Sequence, residues 1–126
     1  MIPTAILLSD DLIFTSRVTG TARDLGLAVA AARSPAAVLD LARRQPPACV
    51  ILDLAHPRLD VPALIAGLAE LPHRPRVVAY GSHVDTASLK AARAAGCDVV
   101  LPRSKFVEDL PTALPAWLSA PGGAGA

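Results

Sequence analysis

The sequence predicts an α/β domain: a parallel five-stranded sheet with helices on both faces. Three observations carry this. Short apolar runs alternate five times with longer stretches of helical period, always strand first. The central run, Cys49-Val50-Ile51-Leu52-Asp53, is apolar until its last residue and is bounded by Pro46-Pro47 and Pro57, the pattern of a strand buried on both faces. Finally, 52% of the 126 residues are hydrophobic but only 3% are aromatic. A core of Ala, Val and Leu packs closely enough to lay helices on a sheet.

Thr4 to Ser9 forms the first strand and runs into Asp10-Asp11. Leu12, Ile13, Val18, Ala22 and Leu25 follow at roughly helical spacing, with Gly26 as the stop. Leu27 to Ala31 makes a weak second strand. Ser34-Pro35 is an N-cap with proline in the first turn, opening a helix through Val38, Leu39 and Leu41-Ala42. The Asp53 strand comes next, then a polar loop from Ala55 to Asp60. Val61 to Leu71 carries Leu64, Ile65, Leu68 and Leu71, the stripe of a helix packed on one side. Arg76 to Tyr80 is a fourth strand, stopped by Gly81. Asp85 caps a helix that runs through Leu89, Ala92 and Ala95 to Gly96. Asp98 to Leu101 is the fifth strand. Ser104 is expected to cap the last helix, which holds Phe106, Leu110, Leu114, Trp117 and Leu118 and which Pro111 and Pro115 are expected to kink, fray or split. The chain thus divides into a domain over residues 1–120 and a flexible tail over 121–126.

Composition excludes several functions. Twelve basic against eleven acidic residues give a net charge of +1, without a basic stripe interleaved with aromatics, so no nucleic-acid partner is expected. Asp10-Asp11 interrupts the first apolar run far short of a membrane span, and the start lacks the features of a signal peptide; a cytoplasmic protein with no membrane contact is expected. Cys49 and Cys97 read as buried free thiols rather than a disulfide or zinc site. No glycine-rich phosphate loop, Ser/His/Asp order or dinucleotide fingerprint is present, so the chain does not read as an enzyme. His56 and His73 are expected in solvent, His83 in a surface loop, and Tyr80 in the core.

The polar residues that interrupt the apolar runs are not scattered. Asp10 and Asp11 follow the first strand, Asp53 ends the third, Gly81-Ser82 follow the fourth and Arg103 follows the fifth. All four loops open on one edge of a parallel sheet, the edge where open α/β sheets bind ligands. Three carboxylates gathered there repel unless a cation sits among them, and Mg²⁺ is the natural hard ion for oxygen ligands. An aspartate so placed can attack a phosphoryl group, with Arg103 as the opposing cation and Ser82 offering a hydroxyl.

These residues resemble the receiver domains of bacterial two-component response regulators over about residues 4 to 118. The resemblance is carried by Ser9-Asp10-Asp11, by Ile51-Leu52-Asp53 with Pro57 and Asp60, and by Ala94-Ala95-Gly96-Cys97-Asp98. It implies a flavodoxin-like (βα)5 receiver fold with strand order 2-1-3-4-5. It also implies that Asp53 accepts phosphate from a histidine kinase or phosphotransfer protein, with Asp10, Asp11, Asp53 and the backbone carbonyl of Ala55 holding Mg²⁺. With no output domain expected after the last helix, the protein would signal to a downstream protein target through the face between the fourth strand and the fifth helix, the same face that a homodimer would use.

The sequence departs from the family at its reporting residues. Gly81 stands where a threonine or serine ends the fourth strand, with Ser82 one place late. Arg103 replaces a lysine, Ser104 a proline, and Val100 the aromatic that moves on activation. An arginine fork is not equivalent to lysine at a tight phosphate site. The alternative expectation is therefore a pseudo-receiver, a protein-interaction module that works without phosphorylation.

Overall fold

The computed structural model describes residues 4–119, so the tail expected at 121–126 lies outside the described residues. The elements alternate as predicted: β1 (Thr4–Leu8), α1 (Leu12–Asp24), β2 (Ala28–Ala32), α2 (Pro35–Arg44), β3 (Cys49–Asp53), α3 (Val61–Ala69), β4 (Arg76–Gly81), α4 (Thr86–Ala95), β5 (Val99–Pro102) and α5 (Arg103–Leu118). The strands are all parallel and ordered β2-β1-β3-β4-β5. Every residue of the central β3 is buried, which is why its sequence is an unbroken apolar run. β2, at one edge, exposes most of its small residues.

Helices cover both faces. On one, α1 and α5 bury Phe14, Val18, Phe106, Leu110 and Trp117 against Leu7, Ile51, Val78 and Tyr80. On the other, α2, α3 and α4 bury Val38, Leu64, Leu68 and Leu89 against Leu8, Val50, Leu52 and Ala79. Four helices start on a side chain that accepts a backbone N–H: Asp11 from Phe14, Ser34 from Ala37, Asp60 from Ala63 and Asp85 from Ser88. Each satisfies one of the donors that a helix leaves unpaired at its start. Gly96 ends α4 at φ 107°, a conformation that costs glycine nothing.

Three sequence expectations change. In α1 the inward residues are Phe14, Val18 and Ala22, four apart, while Leu12 and Ile13 are 61% and 86% exposed. Capping by Asp11 fixes the first turn so that Leu12 and Ile13 point away from the sheet. Ser104 does not cap α5. The chain passes from β5 into the helix at Arg103 without a loop, and Pro102 holds the N-cap position with no side-chain bond. Finally, Pro111 and Pro115 do not divide α5, which runs unbroken to Leu118. Both rings lie on the exposed side, where water reaches the carbonyls they leave unpaired, and five buried residues hold the opposite side to the sheet.

Two polar anchors fix the end of the sheet away from Asp53. The Asp98 carboxylate accepts the Val77 N–H at 2.8 Å and pairs with Arg74 at 3.0 Å, tying β4 to the turn before β5. Arg76 donates to the carbonyls of Ala116 and Trp117 at 2.8 and 2.9 Å, closing the C-terminus of α5. Asp98→Ala is expected to lower unfolding stability by about 1–3 kcal/mol in urea titrations, since it strands the Val77 amide. Cys49 is fully buried, and burial pushes its thiol up to about 12 although Arg76 nearby pulls the other way. A thiol-specific reagent at pH 8 should therefore modify Cys49 only on unfolding, whereas half-buried Cys97 should react sooner.

Candidate functional site

Asp53 is the last residue of β3, and only 4% of its surface is exposed. Burying a carboxylate there requires partners on both oxygens. Oδ1 accepts the Ala55 amide at 2.9 Å. Oδ2 faces the Ser9 hydroxyl at 3.4 Å and the Arg103 Nη2 at 3.6 Å. Ser9 lies just past β1, and its hydroxyl also accepts the Asp11 N–H at 3.0 Å, so one small side chain links the two acidic segments.

Asp11 divides its carboxylate. Oδ1 caps α1 at the Phe14 amide, 2.9 Å away, and Oδ2 faces Arg103 Nη1 at 3.7 Å. Asp11 therefore serves as helix cap and charged group at once. Arg103, the first residue of α5, reaches over the sheet edge between Asp11 and Asp53. Its guanidinium carbon sits 4.9 Å from the Phe14 ring centroid and 5.5 Å from that of Tyr80. The aromatic rings supply an apolar bed for the stem and an attractive face for the charge. At 3.6–3.7 Å these ion pairs are electrostatic rather than close hydrogen bonds, and solvent screens the outer one, since both Asp11 and Arg103 are about two-fifths exposed.

The remaining sequence-predicted residues lie differently. Asp10 turns from Asp53 towards His56, whose Nε2 is 3.4 Å from Oδ1. Ser82 is exposed, and its hydroxyl accepts the Val84 N–H of its own loop at 3.4 Å. With Ala55, His83, Arg103 and Asp11 it lines an open cavity of about 790 Å³ above the sheet edge, between the starts of α1 and α5. Gly81 has a packing reason to be glycine: a Cβ there would meet Leu54 at 3.3 Å and Leu89 at 3.6 Å, in the core opposite to Asp53.

Two residues near the acids were not predicted as part of the site. His56, expected in solvent, is buried. Its Nδ1 accepts the Arg58 N–H at 3.1 Å, so Nε2 carries the hydrogen and donates to the Arg33 carbonyl at 2.7 Å. The ring thereby staples the loop after Asp53 to the loop after β2. Nothing in Ala55-His56-Pro57 signals this, because the partner that makes the staple, the Arg33 carbonyl, is a backbone atom more than twenty residues away. Tyr80, expected in the core, is there, but it is paired directly across from Asp53 in the β3–β4 register. Burial, and then the charge of Asp53, hold its phenol well above the usual range.

The oxygen donors suit Mg²⁺ in part. Among the described residues no three His, Cys, Asp or Glu side chains are grouped as a metal cage. Asp11 and Asp53 nevertheless both turn Oδ2 towards the Arg103 guanidinium, a position that a cation already fills in this arrangement, and Mg²⁺ is commonly held by one or two carboxylates with water completing its shell. On that criterion the pair fits.

No family model matches this chain, and no curated protein matches it significantly. Solved structures do. The receiver domain of NtrX from Brucella abortus aligns with a TM-score of 0.76 at 21% identity, over 90% of this chain and 97% of its own. A response regulator from Thermotoga maritima aligns with a TM-score of 0.78 at 18% identity, over 95% of this chain and 100% of its own. The chemotaxis response regulator CheY4 of Vibrio cholerae aligns with a TM-score of 0.77 at 16% identity, over 94% and 100%. The fold is thus that of a response-regulator receiver domain, the flavodoxin-like arrangement with strand order 2-1-3-4-5. Among the described residues no helix is long and apolar enough to cross a membrane.

His56→Ala leaves the Arg33 carbonyl and the Arg58 amide without their partner. Amide exchange over residues 54–60 should accelerate by at least tenfold while the strands stay protected. Unchanged exchange in that loop would remove His56 as its staple.

Proposed function

We propose that this protein is a receiver-type signalling module in which Asp53 accepts a phosphoryl group from a phosphohistidine on a kinase or phosphotransfer protein. The observation that supports this best is the convergence of Asp53, Asp11 and Arg103 at the open edge of the sheet. A carboxylate oxygen of Asp53 attacks phosphorus in line; the new O–P bond forms as the P–N bond to the donor imidazole breaks. The imidazole leaves with the bonding electron pair and takes up a proton from water. Arg103, already between the two carboxylates, is placed to offset the charge on the transferred phosphoryl oxygens. Asp11, Asp53 and the Ala55 carbonyl would hold Mg²⁺, which when bound supplies further neutralisation of that charge. Asp10, facing His56, adds negative potential to the same edge.

The output is a protein contact rather than substrate turnover. Ser82, His83 and Ser104 rim the cavity beside Arg103, so a change at Asp53 has a short route to the surface. We place the downstream contact on the β4–α5 side, where a second copy of the chain could also dock. A second reading has its own support: Gly81 supplies no hydroxyl, Val100 is a small buried residue, and Asp53 is already covered. Under that reading the fold binds its partner without phosphate.

Intact-mass measurement after incubation with acetyl phosphate decides between them. The phosphoacceptor reading expects one added phosphoryl mass with Mg²⁺, loss of the adduct in Asp53→Ala, and a yield at least tenfold lower once the metal is chelated. No adduct on the wild-type chain, together with no Mg²⁺ binding by titration calorimetry, would leave the phosphate-independent module standing.

A further inference from the structure

The geometry points to the hydroxyl of Tyr80 as the hydrogen-bond donor to a phosphoryl group carried on Asp53. This assignment rests on the phosphoacceptor reading. Tyr80 and Asp53 are direct partners in the β3–β4 register, so both side chains leave the sheet on the α1–α5 face. The Tyr80 hydroxyl belongs to the side chain that shares this face with Asp53, and the charge of that carboxylate acts on it. It is nonetheless fully buried and makes no hydrogen bond, the one such side-chain atom among the described residues. A buried donor without an acceptor is costly and therefore rare in a well-packed core.

The other candidates for the role point elsewhere. A side chain at Gly81 would enter the opposite core at Leu54 and Leu89, and the Ser82 hydroxyl is turned into its own loop. The Tyr80 ring, in contrast, is fixed in place. Its centroid is 4.9 Å from that of Phe14 and 4.6 Å from that of Phe106, and the Arg103 guanidinium lies over it. The hydroxyl is thus preorganised on the Asp53 side of the sheet without a formed hydrogen bond in the resting site. A phosphoryl group on Asp53 brings strong acceptor oxygens to that spot. The packed ring ties the same event to α1 and α5 through Phe14 and Phe106.

Beryllofluoride in the presence of Mg²⁺, a mimic of the phosphoryl group, tests the assignment on wild type, Tyr80→Phe and Asp53→Ala. Wild type should bind, Asp53→Ala should not, and Tyr80→Phe should bind at least tenfold more weakly by titration. Without ligand, Tyr80→Phe should unfold at the wild-type temperature or above it, because the lost hydroxyl had no partner. Tyr80 is the only tyrosine, so its ring ¹³Cζ resonance should also shift when wild type is loaded. Binding of Tyr80→Phe within threefold of wild type, or an unmoved ¹³Cζ resonance, overturns the role of the hydroxyl while leaving Asp53 as acceptor. Failure of wild type to bind overturns the phosphoacceptor reading itself, and this assignment with it.

Discussion

The structure depends on balancing one buried negative charge. β3 is enclosed on both faces, so the carboxylate that ends it has little water to solvate it. Its compensation arrives from the far end of the sequence. Arg103 lies fifty residues later and reaches Asp53 only because β4 and β5 complete the sheet and β5 runs directly into α5. The absence of a loop at that junction fixes where the arginine stem starts. Phe14 and Tyr80 then dictate where its head rests. The ion pair is thus a long-range contact that closes only when the whole domain is assembled.

Around that pair, each group with a second role constrains another. Ser9 contacts Asp53 and the Asp11 backbone, and Asp11 starts α1 while facing Arg103. His56 holds the loop after β3 against the loop after β2 and presents its Nε2 edge to Asp10. The acidic edge is therefore not a set of independent side chains on flexible loops. It is joined to the first turn of α1, to α5 and to the edge of the sheet. A chemical change at Asp53 would be felt by elements that have no contact with it.

Much of this was legible in the sequence because it follows from local rules. The alternation of short apolar and long amphipathic stretches gave ten elements in the right order. Ser34, Asp85 and Gly96 marked helix ends by their own chemistry. The position of Asp53, at the end of the most apolar run, was readable for the same reason. What was not legible depended on partners distant in sequence. His56 finds backbone atoms that no pattern announces, and the exposure of Leu12 and Ile13 is decided by how Asp11 sets the phase of α1. The two prolines of α5 were read as breaks because local rules weigh the lost hydrogen bonds. Tertiary packing of the opposite side outweighs them. Tyr80 was placed in the core correctly, but its pairing with Asp53 needed the register.

β2 ends the sheet opposite to β5, and its residues Ala28, Ala30 and Ala31 lie exposed without a charge or a proline among them. An edge strand of this kind, paired only with β1, offers the N–H and C=O groups of its open side to any other extended chain. Among the described residues, its five-residue length and the Arg33 that follows it oppose such pairing. A single lysine introduced at Ala30 would guard this edge without touching the acidic centre.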